Sequence, residues 1–200
     1  MARETKRKQL HYRKATFLNP HGKSLQDLIE EALAKVTPVS QRFQGLDDGT
    51  DDGWRRFINT HRAFYGLQFG NMVLYAPDQS RHIIAIDDTA DELDIEQIAP
   101  PMGNDGKKRQ FLESLLYYGI QGNHVILLQS MAMKARDFEH YLNWLLHNAG
   151  VLAPENGVFL NNFLPTATQE RLAKAEVKSV RVGTPLFSTQ AGSRSYRPRK

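Results

Sequence analysis

The chain has 200 residues and no cysteine, which excludes disulfides, thiolate zinc sites and cysteine nucleophiles. Its net charge of +4 hides a segregation: residues 1–23 carry +6 and residues 171–200 carry +7, leaving −9 for the middle. No apolar run approaches the ~18–20 residues needed to cross a bilayer, and the basic N-terminus lacks the apolar stretch of a secretory signal. The expectation is a soluble cytoplasmic protein without membrane insertion.

Arg3, Lys6, Arg7 and Lys8 make a basic arm over residues 1–9. His11 to Leu18 alternates loosely and reads as a strand, closed by the turn Asn19-Pro20-His21-Gly22. Ser24 and Asp27 have capping-box spacing, in which hydroxyl and carboxylate each satisfy an orphan N–H. The helix they open places Leu25, Leu28, Ile29, Ala32, Leu33 and Val36 on one face, with Pro38 just beyond its end. Residues 37–60 are polar. The run Asp47 to Gly53 lacks the ligand spacing and terminal Glu of a calcium loop and reads as an exposed acidic loop. Trp54, Phe57 and Ile58 are expected to anchor a short helical turn, with Arg55 and Arg56 exposed.

Ala63 to Tyr75 reads as strand material with Gly66 and Gly70 as bulge or bend points. Ala76 to Ser80 is a turn, after which His82 to Asp87 is expected to pair back as a hairpin. Residues 88–106 read as a long connection. Phe111 to Ile120 is dense in aromatic and branched residues, Gln121-Gly122-Asn123 is turn chemistry, and His124 to Gln129 returns as the second strand of a hairpin. Its four consecutive apolar residues, Val125 to Leu128, suggest a central strand buried on both faces.

Phe138, Tyr141, Leu142, Leu145 and Leu146 form the apolar stripe of a second helix, with Gly150 at the C-cap. Glu139, His140, Asn143 and His147 fall largely outside that stripe, and the two histidines read as solvent-facing. Val158 to Leu164 reads as a strand, Thr168 as the cap of a short helix, and Glu176 to Val182 as a basic edge strand. The expected fold is α+β, a mostly antiparallel sheet with two principal helices packed on it. A single domain over residues 10–187 is followed by a Ser/Arg-rich tail over 188–200.

No P-loop, dinucleotide fingerprint, G-x-S-x-G elbow or HExxH motif is present, so no cofactor and no metal site is expected. The Gly119-Ile120-Gln121-Gly122 loop leads into a strand rather than a helix, unlike a KH module. Glu176-Val177-Lys178 fits the acid-x-lysine element of Mg²⁺-dependent nucleases, with Asp87 or Asp88 as a second carboxylate. The same spacing at Glu4–Lys6 and Asp105–Lys107 shows how cheap that pattern is.

The remaining signal is cationic. Lys107, Lys108 and Arg109 precede the core hairpin, Lys134 and Arg136 precede the second helix, and Lys178 and Arg181 lie on the last predicted strand. Lys6, Arg7 and Lys8 add to them at one terminus, and Arg194, Arg197, Arg199 and Lys200 at the other. Such a distribution points to nucleic acid bound through phosphates, without the Asn/Arg set that base readout requires. Basic tails that serve solubility, or that bind a protein or an anionic membrane, are the alternatives.

The order of these features resembles the RexA family of phage-exclusion proteins. It is carried by the opening strand with SLQDLIEEALA (Ser24 to Ala34) and by FYGLQFGNMVLYA (Phe64 to Ala76). YYGIQGNHVILLQS (Tyr117 to Ser130), DFEHYLNWLL (Asp137 to Leu146) and VKSVRVGTPLF (Val177 to Phe187) complete it, covering most of residues 10–187 by pattern. The resemblance implies sequence-independent DNA binding as a homodimer in defence against phage, with a membrane-protein partner acting downstream. It marks no individual contact residue.

Overall fold

The computed structural model describes residues 8–20, 22–46, 53–86, 92, 94–162, 170 and 174. The chain divides into two units, residues 1–163 and 164–200. In the second, residues 170 and 174 are helical. The expected helix from Thr168 and the expected strand Glu176 to Val182 otherwise lie outside the described residues.

The first unit is built on an antiparallel sheet of seven strands: β1 (Leu10–Phe17), β2 (Gln44–Gly45), β3 (Arg55–Phe64), β4 (Leu67–Tyr75), β7 (Leu112–Gln121), β8 (His124–Leu128) and β9 (Val158–Asn162). Their spatial order is β2-β3-β4-β7-β8-β1-β9. Two helices, α1 (Leu25–Lys35) and α2 (Ala135–Asn148), cover one face and bury their apolar stripes there. The α+β architecture with a dominant antiparallel sheet is therefore present.

The helices form for the reasons their sequences give. Ser24 N–H donates to Asp27 Oδ2 at 2.8 Å and Asp27 N–H to Ser24 Oγ at 3.3 Å, closing the capping box. The start of α1 is also tied to the β7–β8 turn, where Leu25 N–H donates to Asn123 Oδ1 at 2.7 Å and Gly122 N–H to Gln26 Oε1 at 2.8 Å. That turn joins the Gln121–His124 pair, and Gly122 takes φ 57° at its first position, as a primed hairpin turn requires. α2 ends in a Schellman motif: Val151 N–H donates to Leu146 O and Gly150 N–H to His147 O, with Gly150 at φ 61°.

Phe138, Tyr141, Leu142, Leu145 and Leu146 are fully buried beneath the sheet. The Tyr141 hydroxyl donates to Arg42 O and accepts from Ile58 N–H, both at 3.0 Å. It thereby ties α2 to β3 beside a bulge between Ile58 and Thr60. Tyr118 stacks on Phe138, but its buried hydroxyl has no partner. Gly70 makes room for that ring, because a Cβ there would lie 2.5 Å from the hydroxyl and 2.3 Å from Thr60 O.

Several expectations are corrected. Trp54 to Ile58 is not a helical turn, since β3 begins at Arg55, and Arg56 is buried on the helix side. There Arg56 donates to Gln44 Oε1 at 2.6 Å and lies 3.8 Å from Asp137. The strand material from Ala63 to Tyr75 divides at Gly66: Tyr65 and Gly66, at φ 48° and 77°, make a full turn between β3 and β4. Two consecutive positive φ values are the mark of a type I′ hairpin, and the exposed Tyr65 occupies a position usually given to Asn or Gly.

Residues 82–86 do not pair back on β4. Strand β5 (Arg81–Ile84) pairs with β6 (Ile95–Ile98), inside the stretch expected to be a connection, as a separate two-stranded sheet. β4 pairs instead with β7. β8 is an inner strand, but Val125 and Leu127 are buried while Ile126 is exposed, so one face alone is covered.

Glu139, Asn143 and His147 do not simply face solvent. Spaced four apart, they form a second stripe on α2 that meets the free edge of β9. Asn143 Nδ2 donates to Val158 O and Asn143 Oδ1 accepts from Val158 N–H, both at 2.8 Å, as a neighbouring strand would. Glu139 Oε2 accepts from Leu160 N–H at 2.5 Å, and the His147 ring bonds Asn156 O at 2.9 Å. The sheet edge is thus closed by side chains.

Candidate nucleic-acid interface

Of the cations singled out by sequence, Lys8, Lys107, Lys108, Arg109, Lys134 and Arg136 lie among the described residues. Lys6, Arg7, Lys178, Arg181, Arg194, Arg197, Arg199 and Lys200 lie outside them, as do Asp87, Asp88 and Glu176 of the nuclease alternative and Asp47 to Asp52 of the acidic loop.

Lys8 and Lys134, far apart in sequence, come together. β1 carries Lys8 to the end of the sheet where β8 stops, and the loop from β8 to α2 brings Lys134 back to the same corner. Both line an open depression of about 460 Å³ whose walls include His11, Gln129 and Ser130. Ser130 Oγ accepts from Met133 N–H at 3.0 Å and bonds Ser114 Oγ, which fixes the loop. Lys134 N–H donates to Asp137 Oδ2 at 2.8 Å, so the backbone at the α2 N-terminus is set while the ammonium stays exposed. Arg136 is exposed one residue into the helix. These two cations sit at the positive end of the helix dipole, a position that favours anions.

The Lys107–Arg109 cluster is different. Lys108 Nζ lies 2.6 Å from Asp78 Oδ2, and Arg109 lies 3.2 Å from Asp105. The bonds from Lys108 and Gln110 hold the Asp78 carboxyl below its usual range. Lys107 makes no ion pair among the described residues. Two of the three cations expected to act together are therefore paired locally, although exposed pairs of this kind are screened by solvent and salt.

His11, Gln129 and Ser130 escaped the sequence reading, since only the β1–β8 register (Leu10 opposite Leu128) sets them beside Lys8 and Lys134. Among the described residues no three His, Asp or Glu side chains converge on a point that would hold a metal ion. Among the same residues no helix is long and apolar enough to cross a membrane. The chain matches no protein-family model, no curated protein and no solved structure.

Proposed function

We propose that this protein binds double-stranded DNA without regard to sequence, through its cationic terminal segments and the corner where Lys8 and Lys134 meet. The observation that carries the reading is that convergence, at a helix N-terminus that itself favours anions, on a body whose charge is otherwise segregated to the chain ends. Phosphate contacts position a protein on a duplex but carry no sequence information. The setting in phage exclusion, with a second copy and a membrane-protein partner, is what the RexA-like order of sequence features adds.

The test is a gel shift on several unrelated duplexes with the wild-type chain and a Lys8→Glu/Lys134→Glu variant. Reversing two cations turns two attractive contacts into repulsive ones, so affinity should fall by at least about tenfold at low salt, equally on every sequence. Unchanged affinity in the variant would remove the corner from the interface. Absence of binding by the wild type at low salt would end the proposal.

A further inference from the structure

We infer that the sheet face opposite the helices is a platform for single-stranded DNA, with bases stacking on Phe69, Tyr117 and Tyr12. Register places these rings on one surface. Leu128 lies opposite both Leu10 and Tyr117, Ile126 opposite both Tyr12 and Gly119, and Gly119 opposite Phe69. Residues directly opposite one another project to the same side of a sheet. Neither α1 nor α2 covers this side, and Phe69 and Tyr117 remain 46% and 36% exposed.

The rings are already ordered for stacking. Phe69 and Tyr117 are nearly parallel, with planes 17° apart and centroids at 6.5 Å, and Tyr12 lies on His124 at 27° and 5.9 Å. Between the two pairs Gly119 leaves a shallow apolar hollow of about 230 Å³, walled by Leu10, Ile126 and Leu128. A Cβ at Gly119 would come within 3.0–3.1 Å of Ile126 and Leu67 and fill its floor. From β4 to β1 is three strand spacings, roughly 14 Å, which suits two or three splayed bases.

Charge selects the occupant. Lys14 shares this face opposite His124, and Arg62 shares it opposite Phe69. Among the described residues neither makes an ion pair, and the strand acid that alternation puts on this face, Glu113 of β7, is held by Arg81 at 2.5 Å. A second copy laid face to face would set these cations against their own kind, with Glu113 already held by Arg81. A polyanion with planar rings answers both features, and only unpaired bases can reach the ring faces. The inference rests on the nucleic-acid reading above but uses a different surface from the Lys8–Lys134 corner.

The test is fluorescence anisotropy of a labelled oligo-dT of about 15 nucleotides, and of a duplex of equal length, titrated with the whole chain. Phe69→Ala/Tyr117→Ala should weaken oligo-dT binding roughly 5- to 150-fold while leaving duplex binding unchanged. Lys14→Glu/Arg62→Glu changes exposed positions without touching the core, and should flatten the oligo-dT salt dependence by about 1.4 in log–log slope. Duplex binding retained with no loss on oligo-dT in either variant overturns this inference alone. No binding of either nucleic acid by the wild type overturns both readings. A dimer in sedimentation velocity that Phe69→Ala/Tyr117→Ala disperses would assign the face to self-association, and tighter binding of oligo-U than oligo-dT would assign it to RNA; each overturns the inference.

Discussion

Two buried tyrosines lie close together in the core and should respond to the same substitution in opposite ways. Tyr141 is fully buried and its hydroxyl is used twice, donating to Arg42 O and accepting from Ile58 N–H. Tyr141→Phe orphans both backbone groups. Each buried unsatisfied group costs about 1–3 kcal/mol, so the loss should be about 2–4 kcal/mol, allowing for partial relaxation. Tyr118 is 1% exposed and its hydroxyl has no partner, so the native state already bears the cost of desolvating that group. Tyr118→Phe should therefore lie within about 1 kcal/mol of wild type, on the stabilised side. Burial pushes both hydroxyls above the usual tyrosine range, consistent with neutral side chains in each case. Urea unfolding measures the difference, provided the denaturant slope stays constant across the three proteins. Equal destabilisation by the two substitutions would refute the assignment of the Tyr141 hydroxyl as the tie between α2 and β3.

Asn143→Ala removes the amide that pairs with Val158 on the free edge of β9, and should cost about 1–3 kcal/mol with faster amide exchange at Val158. Exchange unchanged at Val158 would show that the edge does not depend on this side chain. Stability should fall in two steps on acidification. Burial, aided by Arg42 and opposed by Glu30, lowers the His61 pKa, so the unfolded chain takes up the proton first and stability is lost below the ordinary histidine value of about 6.5. Asp27, Glu31 and Asp78 are lowered by bonds from Ser24, Lys23 and Lys108, so their contribution is complete above the ordinary carboxylate range and is lost as pH falls through their folded values. In a series of unfolding curves from pH 7.5 to 3, His61→Gln should abolish the upper step and leave the lower one.

Much of the architecture was legible where local chemistry and tertiary packing agree. The capping box at Ser24, the stripe from Phe138 to Leu146 and the Gly122 turn each name their element unaided. The failures have particular causes. Arg56 sits where alternation calls for an apolar residue, because Gln44 and Asp137 receive its guanidinium, so β3 did not read as a strand. Tyr65 conceals a type I′ turn behind an aromatic side chain. The stripe Glu139-Asn143-His147 is visible as spacing, but its use depends on β9 arriving alongside. Of the candidate site, sequence showed which residues are cationic but not which of them meet. The pairing of Lys108 with Asp78 and the meeting of Lys8 with Lys134 are products of the fold.

The central claim is that phosphates are bound by many cations at once, and the salt dependence of duplex affinity counts them. Lys8, Lys107, Lys134 and Arg136, the cations of the set that lie among the described residues without an ion pair, would alone give a log–log slope of about −3.6. With the terminal segments engaged, six to ten contacts give about −5 to −9, a loss of roughly 10³–10⁵ in affinity between 50 and 200 mM salt. The account predicts a slope in that steeper range, the same on unrelated sequences. A slope near zero, or one that changes with sequence, would contradict it.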